Sequence, residues 1–254
     1  MKRRRFIQGS GLAGAIPLAG AQEPAKPKPI VITSAASRLA QTLAAGLKEK
    51  YPIRLTERKS VQTTYEFVEC ALGHDTATNA AVRGAEAVVH VAEPLPEDTP
   101  EQQIDFFTRC TYNLLTAASD EAVPLVIMLS TLEVMSGYDP GLTVTETWRA
   151  RPSAAPRVLG KHLGEFTVRE FARDAKANVV VLRLGKVVRA DDVKGEPFDP
   201  LWVDDRDVVH AVSCALGARP ARWQIFHIQS DSPKARFTVA RAKSALKYQP
   251  QYRW

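Results

Sequence analysis

Short apolar runs alternate with segments of helical spacing from residue 30 to residue 246, and this alternation constrains the fold more than any other feature. Apolar residues in the runs stand next to one another rather than at every second position, which is typical of strands buried on both faces. Alternating strands and helices favour a parallel sheet covered on both sides. We therefore predict an α/β fold in residues 30–254, a doubly wound parallel sheet with a small C-terminal appendage, as one domain.

The pattern predicts seven strands and six helices. Strands are expected at Ile30–Thr33, Ile53–Thr56, Tyr65–Glu69, Ala87–Val91, Leu125–Leu129, Val179–Leu184 and Gln224–Ile228. Helices are expected at Leu39–Lys50, Thr76–Val82, Gln102–Ser119, Val158–Ala175, Val208–Leu216 and Phe237–Leu246.

Residues 1–21 differ in composition from the rest of the chain. The basic cluster Lys2–Arg5 precedes a weakly apolar, glycine-rich stretch, Phe6–Leu18, which is too short for a membrane span. Small residues at Ala19–Ala21 fit a signal-peptidase site, and the run RRRFI resembles a twin-arginine export signal. These features predict a signal peptide at 1–21, a proline-rich linker at 22–29 and a periplasmic protein. An uncleaved basic N-terminus is the alternative.

The net charge of +6 belongs mostly to the N-terminal segments. Residues 2–5 carry four positive charges and residues 22–29 add a net charge of +1, which leaves +1 for residues 30–254. A nearly neutral body argues against a nucleic-acid partner. The three cysteines share no CxxC spacing and the five histidines show no spacing typical of metal ligands, so we expect neither a disulfide framework nor a metal site.

The first strand-to-helix turn is the place where a doubly wound sheet binds a phosphate group. Ser34, Ser37 and Ala40 stand at the spacing where glycines would let the backbone approach a pyrophosphate. All three are small, but the Cβ atom of Ser37 occupies space that the pyrophosphate would approach. Glu57 ends the second strand, where a carboxylate would accept hydrogen bonds from an adenosine ribose. A solvated charge at a strand end is the alternative interpretation of Glu57.

Several segments, taken in order, resemble the NAD-dependent epimerase/dehydratase family of the extended short-chain dehydrogenase/reductase superfamily. They are IVITSAASRLAQTLAAGL (30–47), GAEAVVHVAEP (84–94), TYNLLTAA (111–118), VIMLSTLEV (126–134), GKHLGEF (160–166), LRLGKVV (182–188) and WVDDRDVVHAV (202–212). The resemblance implies a Rossmann-type fold that binds NAD or NADP, a choice left open because Arg58 and Lys59 follow Glu57. The cofactor-binding residues that it implies are Ser34, Ser37, Arg38, Ala40, Glu57, Ala92, Asn113 and Lys161.

The chemistry of this family depends on a Ser/Thr, a Tyr and a Lys, and the tyrosine exchanges a proton with a substrate hydroxyl. Thr131 falls on the Ser/Thr position and Lys161 on the lysine position, so both are expected to be catalytic. The tyrosine position, four residues before Lys161, holds Arg157, whose guanidinium keeps its proton near neutral pH. Arg157 and Lys161 would form a cationic spot for a phosphate, carboxylate or uronate. The alternative is that Arg157 and Lys161 are two solvated charges on a helix and bind no ligand.

The segment available to enclose a substrate is short. Only Arg189–Leu201 separates two of the matching segments, so we expect a reduced substrate region with a small or open cleft. The resemblance implies an exported NAD(P)-linked oxidoreductase or epimerase that acts on a sugar or a sugar-derived small molecule. Because the glycines and the tyrosine are absent, a non-catalytic relative that serves as a binding or scaffold module is the alternative. The resemblance also implies a homodimer formed through two long helices.

Overall fold

A computed structural model gives the structure of residues 27–174, 176–220, 222–230 and 232–252. The predicted signal peptide and most of the predicted linker lie outside these residues. Within the described ranges, every helix falls short of the length and apolar character needed to cross a membrane.

Seven parallel strands form one sheet, in the order β3-β2-β1-β4-β5-β6-β9, and this confirms the predicted doubly wound, Rossmann-type fold. The strands are β1 (Ile30–Thr33), β2 (Ile53–Glu57), β3 (Glu66–Glu69), β4 (Ala87–His90), β5 (Leu125–Thr131), β6 (Asn178–Leu184), β7 (Lys186–Val188), β8 (Trp202–Asp204) and β9 (Trp223–Ile228). Strands β7 and β8 make a separate parallel pair.

Seven α-helices are present among the described residues. They are α1 (Arg38–Leu47), α2 (Thr76–Val82), α3 (Pro100–Asp105), α4 (Thr111–Asp120), α5 (Pro156–Arg173), α6 (Asp205–Ala218) and α7 (Ala240–Leu246). A π-helical turn, Phe106–Cys110, joins α3 to α4, so the predicted helix Gln102–Ser119 is a continuous helical segment with a local change of winding.

The two faces of the sheet bury separate apolar clusters. Leu43 of α1 and Val208 of α6 pack on the face to which Ile30 and Ile32 point. Leu114 of α4 and Val168 of α5 pack on the opposite face, beside Val31. Burial on both faces explains why the apolar residues of these strands are consecutive in the sequence.

Several boundaries differ from the sequence-based prediction, and two of them have a clear physical reason. Strand β5 continues through Ser130 and Thr131, because both residues pair with β6 and the strand is buried to its end. The last helix begins at Ala240 rather than Phe237, because Phe237 forms a β-bridge with Val144 and packs in a third cluster. This cluster and the β7–β8 pair make up the small appendage at the carboxyl ends of the strands.

Two glycines let α5 pack closely on the sheet. A Cβ atom at Gly160 would lie 2.2 Å from Cδ2 of Phe107, and one at Gly164 would lie 2.7 Å from Cε of Met128. Any larger residue would therefore push the helix outward or displace these side chains. The close approach brings Lys161 against β4 and β5, where the site lies.

Candidate active site

A cavity of about 700 Å³ lies at the carboxyl ends of β1, β4, β5 and β6. This edge of a doubly wound sheet is where such folds bind ligands. Its lining comes from the start of α1, the ends of β4, β5 and β6, helix α5 and the appendage. The polar lining residues include Ser37, Arg38, Glu93, Ser130, Thr131, Glu133, Arg157, Lys161, Lys186, Asp199 and Asp205.

A second cavity of about 350 Å³ adjoins the first and contains the end of β2. The two cavities share three lining residues, Ser37, Glu93 and Arg157. Glu57 lines only the second cavity, where it is buried and accepts hydrogen bonds from the N–H groups of Ala36 and Arg58, at 3.2 and 2.9 Å. Together the adjoining cavities form a cleft in which Glu57 lines the second cavity and Lys161 lines the first.

The turn between β1 and α1 keeps its shape without glycine. Ser34 has a φ of 58°, in the left-handed region that favours glycine, and its Oγ accepts a hydrogen bond from Glu93 N at 3.0 Å. Ser37 is the N-cap of α1, and its Oγ accepts a hydrogen bond from Ala40 N at 3.2 Å. Side-chain hydrogen bonds therefore stabilise a turn that a glycine-rich sequence would adopt without strain.

Lys161 is buried against two strands. Its Nζ donates hydrogen bonds to Val91 O at 3.0 Å and to Leu129 O at 2.8 Å, and it lies 5.4 Å from the centroid of the Phe107 ring. Burial lowers the pKa of Lys161 to about 7, although the nearby Glu93 carboxylate acts in the opposite direction. A lysine in this position changes its charge near neutral pH.

The Ser/Thr pair at the end of β5 has two different roles. Ser130 donates a 2.5 Å hydrogen bond to Glu165, which also forms a buried ion pair with Arg183 at 2.6 Å. Thr131 caps a 3₁₀ turn, Leu132–Met135, and its Oγ1 accepts a hydrogen bond from Glu133 N at 3.2 Å. Thr131 lines the cavity, where its Oγ1 also donates a hydrogen bond to Glu133 Oε2 at 3.3 Å, while the hydroxyl of Ser130 is engaged in the buried ion-pair network.

Arg157 lies in the first turn of α5, one helical turn before Lys161, and forms an ion pair with Glu93 at the boundary between the cavities. Its side chain is 46% exposed, so Arg157 keeps much of its contact with solvent, whereas Lys161 is buried. Two further basic residues near Glu57 are also paired: Arg58 with Asp98, and Lys59 with Glu97. Carboxylates from the loop after β4 thus neutralise the cations at this end of the cleft.

Most of the residues predicted from the sequence meet in this cleft, but four do not line it. Ser34 lines neither cavity, and its Oγ accepts the hydrogen bond from Glu93 N. The other three are Ala40, Ala92 and Asn113. Ala40 is buried in α1 and faces the core. Ala92, with a φ of 53°, is buried behind the loop after β4. Asn113 donates a hydrogen bond to Leu72 O at 3.0 Å and so ties α4 to the segment after β3. These three residues shape the backbone around the cleft and do not contact its interior.

Four acidic residues that the sequence patterns did not single out also line the cleft: Glu93, Glu133, Asp199 and Asp205. Burial raises the pKa of Asp205, although Arg189, at 2.8 Å, opposes this effect. The sequence could have indicated Glu93 and Glu133 as site residues, because each follows the end of a predicted strand at the edge of the sheet that binds ligands. Among the described residues, no three His, Cys, Asp or Glu side chains gather as a metal site.

Comparisons with known proteins agree with this geometry. The chain is 25% identical over 247 residues to a NAD-dependent glucose-6-phosphate dehydrogenase of Haloferax volcanii, an alignment that covers 88% of this chain and 93% of the relative.

Solved structures show the same fold. A uronate dehydrogenase from Agrobacterium tumefaciens, as a tyrosine-to-alanine variant complexed with NAD, is 20% identical with a TM-score of 0.78, over 89% of this chain and 85% of that chain. A glucuronic acid dehydrogenase from Chromohalobacter salexigens is 17% identical with a TM-score of 0.76, over 89% and 85% of the two chains. The model of the NAD dependent epimerase/dehydratase family matches residues 30–200. The chain therefore belongs to the NAD-dependent epimerase/dehydratase family.

Proposed function

We propose that the chain binds a nicotinamide dinucleotide in the cleft and acts as an oxidoreductase or epimerase on a sugar or sugar-derived small molecule. The observation that carries the proposal is that Lys161 and Thr131 line one cavity and Glu57 lines the adjoining one, with three lining residues shared between them. Relatives described as NAD-dependent or complexed with NAD support the same cofactor class.

The cleft residues fit this ligand. Glu57 would hold the adenosine ribose, the start of α1 would face the diphosphate, and Lys161 with Thr131 would border the nicotinamide end. When bound, the nicotinamide ring supplies the hydride chemistry. Because Arg58 and Lys59 are already paired with Asp98 and Glu97, we propose that NAD is preferred to NADP.

Lys161 is our candidate for the proton carrier. Two carbonyl oxygens already accept hydrogen bonds from its Nζ, which leaves one further tetrahedral position. That position holds an N–H in the ammonium and a lone pair in the neutral amine, so it would bind a substrate hydroxyl and take its proton. Thr131 Oγ1 would orient the same hydroxyl, and Arg157 would stand where the family carries its tyrosine.

The substrate class follows from the relatives and from the cavity. The relatives act on glucose 6-phosphate and on uronates, as their names state. The cavity of about 700 Å³ has a mixed lining in which Arg157 and Lys186 accompany several carboxylates. We propose an aldose or uronate without a nucleotide group, because the short segment before β8 leaves little chain to enclose a larger substrate.

The test starts with the cofactor. Protein expressed from Gln22 onward is denatured, and mass spectrometry determines whether NAD(H) or NADP(H) is released; thermal shifts with each dinucleotide follow. We expect NAD to stabilise the fold, and a panel of aldoses and uronates to reveal NADH formation. The proposal is contradicted if no dinucleotide is released from the purified protein and if millimolar dinucleotide does not raise its melting temperature.

A non-catalytic binding role is the second candidate, and Arg157 is the observation that favours it. The substitution Arg157→Tyr separates the two roles, because it adds a proton carrier one helical turn from Lys161. An oxidoreductase that works slowly through Lys161 should gain kcat at saturating dinucleotide. A protein without any turnover before and after the substitution fits a binding module instead.

We also propose that the chain is exported through the twin-arginine route. The pair Arg3-Arg4, followed by Phe6 and Ile7, supports this route. Cell fractionation of the wild type and of the double variant Arg3→Lys, Arg4→Lys tests it. We expect the wild type in the periplasm with the mass of a chain that starts at Gln22. Equal distribution of the two proteins contradicts the proposal.

A further inference from the structure

Arg157 stands at the junction of the two cavities. It lines both of them, together with Ser37 at the N-terminus of α1 and Glu93 after β4. A dinucleotide whose adenosine ribose is held at Glu57 and whose nicotinamide is held near Lys161 has its diphosphate and its second ribose left for this junction, and the diphosphate is the charged group of the two. The junction therefore requires groups that bind an anion.

The backbone of the first turn contributes few free donors to such an anion. Ala36 N donates to Glu57 Oε2 at 3.2 Å, and Ser37 N donates to Ser34 O at 2.9 Å. Ala40 N donates to Ser37 Oγ at 3.2 Å. Three N–H groups of the turn and of the first helical residues are thus used within the protein, whereas glycine-rich turns present such groups to phosphate.

The guanidinium of Arg157 can exchange its present ion-pair partner for a ligand. Its partner is the carboxylate of Glu93, and the two side chains are 46% and 34% exposed. Ion pairs with this much solvent contact contribute little net stability, so a ligand with two negative charges competes well for the guanidinium. Without Arg157, the carboxylate of Glu93 would repel a diphosphate at the junction.

We propose that Arg157 is the ligand of the dinucleotide diphosphate, and that Glu93 holds the guanidinium at the junction until the diphosphate replaces it. A guanidinium binds phosphate oxygens through two parallel N–H donors, which suits it to this role better than a lysine. The inference rests on the dinucleotide binding proposed above. It gives the residue at the tyrosine position a role in binding that compensates for the glycine-poor turn.

The experiment measures the affinity of the purified protein for NAD and ADP-ribose by calorimetry and for adenosine by NMR titration. The variants are Arg157→Gln, Arg157→Lys and Glu93→Gln. We expect Arg157→Gln to weaken the binding of NAD and of ADP-ribose by the same factor, about 10-fold or more, and to leave the affinity for adenosine unchanged. Arg157→Lys should recover part of the loss. Glu93→Gln should strengthen the binding of NAD and of ADP-ribose several-fold. Damage to the fold would not produce such a gain in affinity.

Four results would overturn the inference. Unchanged NAD affinity in Arg157→Gln, with a raised KM for a uronate, would assign the guanidinium to the substrate. Equal weakening of adenosine and ADP-ribose would assign it a structural role. If the wild type binds neither NAD nor ADP-ribose, the proposed function is wrong and the inference is wrong with it. If the wild type binds both and Arg157→Gln binds them equally well, only the inference is wrong.

Discussion

Lys161 shows how the environment of a single residue determines its chemistry. Lys161 is 3% exposed and its ammonium has two carbonyl oxygens as acceptors, but no carboxylate among the described residues accepts a hydrogen bond from it. Burial therefore outweighs the attraction of nearby acidic groups and lowers the pKa of this lysine to about 7. The cost of this burial appears in the pH dependence of the stability of the protein.

We expect the free energy of unfolding to rise between pH 7 and about pH 10. In this range the unfolded chain keeps a proton on Lys161 and the folded chain has lost it, so higher pH favours the folded state. The variant Lys161→Met should lack this rise. Urea unfolding at pH 7 and pH 9 measures the difference, with Lys48→Met, a change at an exposed residue, as the control. A rise of equal size in Lys161→Met would contradict the assignment.

The positions of Thr131, Arg157 and Lys161 around one cavity follow from sequence, because strand ends and one face of a helix determine them. The ion pair of Arg157 with Glu93 could not be predicted in this way. It depends on how far α5 lies from the loop after β4, and that distance depends on tertiary packing such as the close contact of Gly160 with Phe107. Sequence patterns give the order and faces of elements, but not such distances.

At the scale of elements, α5 carries two basic residues of the site, Arg157 and Lys161, on a helix that packs against β5. Gly160 and Gly164 face Phe107 and Met128, and the intervening Lys161 reaches two strands. The sequence-based prediction of this helix, Val158–Ala175, agrees in type and nearly in extent with Pro156–Arg173. The π-helical turn Phe106–Cys110 beneath it could not be predicted, because hydrophobic spacing does not distinguish π from α winding over five residues.

We expect Gly160→Ala to destabilise the protein by about 1–2 kcal/mol. The added methyl group would overlap with the ring of Phe107, and overpacking of a core costs about 1–3 kcal/mol, more than the gain of about 1 kcal/mol in helix propensity. Gly217→Ala in α6 is the matched control, since a Cβ atom there meets nothing within 4 Å. Chemical denaturation should show a loss for the first variant and no loss for the second.

Helices α4 and α5 also expose apolar side chains. Tyr112 of α4 is 51% exposed, and Leu163 and Phe166 of α5 are 36% and 52% exposed. Large apolar side chains grouped on neighbouring helices are typical of interaction surfaces. We propose that a second copy of the chain covers them in a homodimer.

The variant Phe166→Glu should dissociate this dimer, because it places a charge in a buried interface. Sedimentation velocity of the wild type and the variant measures the change in mass. Leu142→Glu, at a residue that is 43% exposed and lies outside these helices, should leave the mass unchanged. A monomeric wild type at all concentrations would refute the proposed dimer.

At the scale of the whole molecule, two buried histidines lie on different strands of one sheet. His90 of β4 forms hydrogen bonds with Thr33 and Thr111, at 2.9 and 3.0 Å. His227 of β9 is fully buried, and neither ring nitrogen has a hydrogen-bond partner among the described residues. Burial lowers the pKa of each histidine to about 3, so both are neutral in the folded protein above that pH.

We expect acid to destabilise the fold between pH 6.5 and pH 3. In this range the unfolded chain binds protons on His90 and His227 and the folded chain does not, so falling pH favours unfolding. His227→Leu should show a smaller loss of stability between pH 6.5 and pH 4 than the wild type. Urea unfolding across this range measures the loss, and His74→Gln, at an exposed position, should follow the wild type. If the stability of His227→Leu falls with pH as steeply as that of the wild type, His227 does not cause the sensitivity to acid.

The strand order β3-β2-β1-β4-β5-β6-β9 also affects how the sheet is built during synthesis. Strand β1 is made first, β2 and β3 extend the sheet on one side, and β4, β5, β6 and β9 extend it on the other. Each strand of this sheet therefore joins an edge that is open when it leaves the ribosome. The apolar edge of β6 stays uncovered until residue 228 has emerged. Nascent chains stalled before Trp223 should consequently bind chaperones and aggregate more readily than chains that already include β9.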